Sequence, residues 1–355
     1  MIETHVVNAT LQTALHEETV YHWLRFINGL VAPSFVFASG MAFAITLRRK
    51  LPDYLAMKQP LFKQLTRLLM VLAIGYILHI PKFSLSHLLY VAGEEAWRLF
   101  FQVDVLQCIA VTVLGMQVLI FLSRSERRFA VTVVVIAPLI VAVTPLVWMV
   151  DFGKFLPLPL AAYLTPADKS MFPLFPWAAF LMMGVVAGYA FLEWKDRMPK
   201  LLLWSGIICV GLSFALEPVL ARTYPVYDYW RGSPSFFLLR LGLVFLLCGL
   251  MFWFEKSRGV SRNSAVALMG RESLMVYVAH LLLIYGNFGT FNFRDTVDRT
   301  FGYPLALAVS VLLIAAMYLL ALVWSRIKRG PAKVRRAVEW GFVGVLVAVL
   351  IFAPA

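Results

Sequence analysis

Ten stretches of this chain are long and apolar enough to cross a bilayer, near 24–47, 61–82, 101–123, 129–150, 171–193, 200–220, 235–254, 264–286, 301–325 and 337–354. Each helical crossing needs about 20 apolar residues. In lipid every backbone polar group must be paired within the protein. The pattern therefore restricts the chain to an all-α, polytopic membrane helix bundle. A composition of 61% hydrophobic against 14% charged residues excludes an ordinary soluble domain of 355 residues.

Charge fixes the orientation. Loops 48–67, 124–128, 195–200, 256–262 and 326–336 hold 21 of the 32 Lys and Arg residues, whereas the alternate segments 1–25, 80–100, 151–170, 221–234 and 287–300 hold 9. The positive-inside rule places the first set in the cytoplasm and the second outside. The formal charge of +13 thus records topology, and no nucleic-acid partner is expected. Cys108, Cys209 and Cys248 all fall within apolar spans, so neither a disulfide framework nor a metal site is expected.

The first residues, MIETHVVNATLQTA at 1–14, are apolar enough for the outer end of a helix but too short to cross, and they lack the basic lead of a signal peptide. They read as the outer stub of a first transmembrane helix whose inner half would lie upstream of Met1. On that reading ten full helices and the stub make a single integral-membrane domain, 1–355. The longer outer loops, such as 155–173 and 222–235, are rich in Tyr, Trp and Phe. Such rings suit the interfacial belt and also stack on sugars. The GxxxG-like spacings are weak packing signals.

Ionisable residues inside such spans carry the functional signal, because a charge at membrane depth costs about 2.5–3.5 kcal/mol on insertion scales. Asp104 is expected at the outer end of the third span, with Gln107 on the same helix face three residues on. Arg240 lies about a turn and a half inside the seventh span and calls for a partner, either Asp104 or Glu217. In GRESLMVYVAH, Arg271 and Glu272 stand at the cytoplasmic entry, and a straight helix would put His280 about 13–14 Å deeper. An imidazole above a guanidinium is arranged like an acid/base group above an anion-binding group. Glu3, His5, Asn8 and then Asn28 form a second polar cluster, in which His5 and Asn8 share a face. No hydrolase elbow, Walker loop, zinc helix or dinucleotide fingerprint occurs in a suitable context.

Five blocks carry a resemblance: MIETHV at the start, NGLVAPSFVFASGMAF at 28–43, VDVLQCIAV at 103–111, FPLFPWAAFLMMGVVAG at 172–188 and LMGRESLMVYVAHLLLIYG at 268–286. Together they resemble the bacterial branch of the heparan-α-glucosaminide N-acetyltransferase-like membrane acyltransferases, and more distantly the acyltransferase-3 group. The resemblance implies about eleven helices and a bacterial cytoplasmic (inner) membrane. It also implies transfer of an acetyl or other short acyl group from cytoplasmic acetyl-CoA to a glycan or glycolipid on the outer side. It makes His5 the histidine of the family's Met-x-x-x-His run and the leading catalytic candidate, assisted by Asp104 or His280. Arg271, Glu272, Asn8, Asn28, Gln107 and Arg240 are then the candidate substrate and cofactor contacts. The family's Asp-x-x-Arg-Gly block, which precedes that histidine on the first helix, does not stand before His5 in this sequence.

Two other classes fit the polar residues. A transporter or flippase for a lipid-linked or small anionic substrate would use the same intramembrane Arg and His, although no inverted repeat is visible. A scaffold without chemistry of its own is the other. Acceptor, acyl chain, choice between ping-pong and ternary mechanisms and oligomeric state, a homodimer included, stay open.

Overall fold

The computed structural model describes residues 1–91, 93–261, 264–286 and 293–352. Residues 287–292, the first part of an expected outer segment, lie outside the described residues. The helices are α1 (Ile2–Thr10), α2 (Thr19–Asn28), α3 (Val31–Leu55), α4 (Gln59–Ile77), α5 (Glu94–Phe101), α6 (Val105–Ser123), α7 (Glu126–Val147), α8 (Leu158–Ala161), α9 (Leu174–Glu193), α10 (Met198–Thr223), α11 (Pro234–Arg258), α12 (Ala265–Arg271), α13 (Ser273–Tyr285), α14 (Phe293–Val297), α15 (Tyr303–Arg329) and α16 (Ala332–Phe352). No strand occurs among the described residues, so the chain is an all-α polytopic bundle.

By length and composition the described residues hold eight membrane-crossing segments, with α2 and α3 counted as one, or nine if α12 and α13 form one broken span. Ten were expected. The tenth, α16, opens with Lys333, Arg335, Arg336 and Glu339, which leaves too short an apolar remainder for the same test. The eighth is not straight: α12 and α13 meet at Glu272 with a bend of 81°. Local chemistry sets the other ends. The expected span at 61–82 stops at Ile77, before Pro81. The span expected from 101 starts at Val105, because Asp104 turns extended and caps α6. Ser125 caps α7 by accepting from the Arg128 amide at 3.2 Å, and Arg124 before it takes a left-handed turn at φ 51°.

Helix contacts divide the chain into two units, one made of Met1–Gly29, Ile77–Trp97 and Gly259–Ala355 and the other of Leu30–Tyr76 and Arg98–Arg258. In the second unit two helix crossings are close enough to require glycine. A Cβ on Gly40 of α3 would lie 2.0 Å from the Leu181 carbonyl oxygen of α9, and one on Gly184 would lie 2.0 Å from the Phe37 oxygen of α3. Gly188 meets Ala44 one turn on, so the GxxxG spacing of α9 is a packing interface. Gly206 of α10 and Gly242 of α11 repeat the device, each 2.8 Å from the other's carbonyl oxygen when a Cβ is added. Without water to drive association, such backbone approach is how membrane helices gain dispersion contacts.

In the first unit the short helix α1 packs on α15 and α13. Ile2, Val6 and Ala9 face Val276, Ile284, Met317 and Ala321 in one core cluster. Backbone bonds clamp its C-terminal end. Phe301 N donates to Thr10 O at 2.9 Å, Gln12 N donates to Phe301 O at 3.0 Å, and the Tyr303 hydroxyl donates to Leu15 O at 3.2 Å.

Candidate active site

Packing α1 against α13 brings His5 and His280 together, with ring centroids 5.3 Å apart. The clamp at Leu11 and Phe301 lies six residues from His5, about 9 Å along α1 at 1.5 Å per residue. His280 lies five residues, about 7.5 Å, before the end of α13 at Tyr285. The two imidazoles are therefore neighbours, at similar distances from these two ends.

His280 is fully buried. Its Nδ1 is 2.7 Å from the Val276 carbonyl oxygen, which can only accept, so Nδ1 carries the proton. The basic Nε2 is then the lone-pair nitrogen, and it is buried without a hydrogen-bond partner among the described residues. A buried acceptor left unpaired costs about 1–3 kcal/mol. Tyr285 joins the pair, its ring edge-on to His5 at 5.7 Å and its hydroxyl 3.4 Å from His5 Nδ1. Tyr277 packs edge-on to His280 from the other side, at 5.6 Å.

Arg271, the expected phosphate contact, is exposed at the end of α12. The 81° elbow falls beside it, between α12 and α13, so it turns the direction of α12 and leaves the rise from Ser273 to His280 within one helix, α13. Glu272, also expected to contact substrate, is buried in the elbow and paired with Lys328 of α15, whose Nζ donates to its two oxygens at 2.8 and 3.1 Å. Asn28 donates to Glu3 Oε1 at 3.3 Å, so these two members of the N-terminal cluster hold each other. Asn8 is exposed on α1.

Three candidates belong to the second unit. Asp104 accepts from its neighbour Val105 N at 2.7 Å as the cap of α6. Gln107 is fully buried, its amide pressed against Gly75 of α4, and neither amide atom has a hydrogen-bond partner among the described residues. The Arg240 guanidinium lies 4.7 Å from the Phe236 ring centroid, a cation–π contact. Glu217, one partner expected for Arg240, accepts from the Tyr227 hydroxyl. Burial and that carboxylate together push the Tyr227 phenol above its ordinary range.

The residues that sequence reasoning missed are Tyr285 and Lys328. Tyr285 stands in the block LLLIYG, five residues from His280, but nothing in the sequence ties it to His5. Among the described residues no group of three or more His, Cys, Asp or Glu side chains is placed to hold a metal ion. The family model described as heparan-alpha-glucosaminide N-acetyltransferase, catalytic, matches residues 1–218. That stretch contains His5, Asn8, Asn28, Asp104 and Gln107, while Arg240, Arg271, Glu272 and His280 lie beyond it. No curated protein matches the chain.

Proposed function

From the premise that this chain belongs to the heparan-α-glucosaminide N-acetyltransferase catalytic family, acetyltransferase-type multi-pass membrane enzymes, we propose that it moves an acetyl or other short acyl group from acyl-CoA to a sugar-bearing acceptor. In this reading the whole chain, 1–355, works as one acyltransferase domain of a bacterial cytoplasmic membrane. The donor enters from the cytoplasm, and the acceptor is a glycan or glycolipid on the outer side. Acyl-CoA is a substrate here, and the chemistry at the protein end is proton transfer.

The observation that carries the reading is the His5–His280 pair with the bare Nε2 of His280. This buried lone pair has no donor among the described residues, and an acceptor hydroxyl or amine would supply one. In the transfer the acceptor's proton passes to an imidazole nitrogen as its oxygen or nitrogen attacks the thioester carbonyl carbon. The C–S bond then breaks, and the departing CoA thiolate takes the proton back from the imidazolium. His5 is the proposed base and His280 its partner. Arg271, exposed at the end of α12, is the proposed contact for the CoA phosphates. Asp104 caps α6, and this reading assigns it no step.

The test uses purified protein in lipid nanodiscs, with acetyl-CoA as donor and a glucosamine-terminated disaccharide as acceptor probe, and follows CoA thiol release. His5→Gln is expected to lower turnover by about 10²–10⁴, the usual worth of a positioned base, while acetyl-CoA still binds. Wild-type turnover in His5→Gln would remove His5 from the base role. Absence of any thioester consumption by the wild type, with this and other amino-sugar acceptors, would overturn the acyl-CoA reading.

A further inference from the structure

Tyr285 has one hydroxyl proton, and it is committed: the hydroxyl donates to the backbone carbonyl oxygen of His5 at 3.1 Å. The same phenol oxygen lies 3.4 Å from His5 Nδ1. An oxygen whose only proton is spent can meet a second group only as acceptor, so Nδ1 must be the donor. Neutral His5 then carries its proton on Nδ1 and its lone pair on Nε2. We propose that Tyr285 is a positioning residue, which holds the His5 ring in the Nδ1–H tautomer and thereby makes Nε2 the nitrogen that takes the acceptor's proton. This rests on the reading of His5 as the base.

Two features make the arrangement more than a packing contact. The hydroxyl bridges the ring and the backbone carbonyl of the same residue, so it fixes the turn of the imidazole relative to α1 as well as its proton. His280 reaches the same tautomer by a separate route, its Nδ1 proton going to the Val276 carbonyl at 2.7 Å. Both rings of a pair 5.3 Å apart thus have the basic nitrogen at Nε2. Two lone pairs cannot bond each other. The pair is completed by a donor from outside, and once one Nε2 is protonated the neighbouring neutral ring stabilises the imidazolium. A Tyr285 that merely filled space would do equally well as Phe.

The test is ¹⁵N NMR of ring-labelled histidine in lipid-reconstituted protein, with the His5 signals assigned by their loss in His5→Gln. In the wild type the His5 Nδ1 is expected to resonate as a protonated nitrogen and Nε2 as a bare one. Tyr285→Phe is expected to give a mixture of both tautomers at His5, with the His280 pattern unchanged. Turnover should fall roughly 2- to 13-fold, the range that one modest hydrogen bond spans, with KM for acetyl-CoA unmoved. A wild-type His5 protonated on Nε2 would overturn the proposal, as would a Tyr285→Phe spectrum identical to wild type. If Tyr285→Phe also disturbs His280, the variant has lost its fold and the wild-type spectrum alone decides. The tautomer readout needs no turnover, so full activity in His5→Gln would sink the base assignment while leaving the tautomer result standing.

Discussion

Adding a single methyl group at Gly40 or Gly184 tests the helix crossing that organises the second unit. In Gly184→Ala the new Cβ would start 2.0 Å from the Phe37 carbonyl oxygen, about 1 Å nearer than real Cβ atoms come to anything. That oxygen belongs to the backbone of α3 and cannot rotate aside, so the two helices must part by about 1 Å. A gap of that size forfeits a quarter to a half of each dispersion well along the seam, and overpacking typically costs about 1–3 kcal/mol. A clash against backbone that cannot rotate aside takes the upper end of that range, about 3 kcal/mol, and alanine's better helix propensity returns about 1 kcal/mol, so the net expectation is about 2 kcal/mol for either single variant. The two glycines are reciprocal, because a Cβ on Gly40 meets the Leu181 oxygen of α9 at the same 2.0 Å. One separation therefore relieves both clashes while each alanine returns its own propensity, so the double variant should cost about 1–2 kcal/mol, well short of the sum of about 4. The assay is reversible unfolding in mixed micelles, run as a double-mutant cycle. Either single variant within about 0.5 kcal/mol of wild type, or a double variant at full additivity, would refute the reasoning.

Two further expectations concern single side chains. Lys328→Met leaves the buried Glu272 carboxylate unpaired and should destabilise by about 1–3 kcal/mol, a figure tempered by the half-exposed lysine, with Lys328→Met/Glu272→Met recovering most of the loss; an unfolding midpoint unchanged in Lys328→Met would mean that this pair does not hold the elbow. Asp104→Ala should cost about 1 kcal/mol as a lost helix cap, whereas Asp104→Asn, itself a good cap, should keep both stability and acyl transfer; loss of transfer in the Asn variant would return Asp104 to the chemistry.

What the sequence discloses is what the bilayer enforces locally. Long apolar spans and an all-helical chain follow from bilayer thickness and backbone satisfaction, and the described residues keep both, with eight or nine crossings where ten were expected. The break at Glu272 was not legible, because no proline marks it and the Lys328 that pairs with this carboxylate lies 56 residues on. The glycine crossings are half legible: Gly184 and Gly188 announce a spacing, but their partner helix is known only once Phe37 and Met41 are found against them. His5 and His280 each stand out as polar residues in apolar surroundings, yet they lie 275 positions apart and meet only through the packing of α1. Asp104 shows the opposite case, in which a charge that looked costly in a span proves to stand just outside a helix, as its cap.

The clamp between the end of α1 and the start of α15 makes the aim of His5 a matter of indexing. Its two backbone bonds tie Thr10 and Gln12 to one residue, Phe301. Sliding α1 by a single position would break both and swing its side chains by about 100° around the helix axis, carrying the imidazole away from Tyr285 and His280. The clamped end of α1 thus acts as a key, which lets the helix enter its seat at one angle.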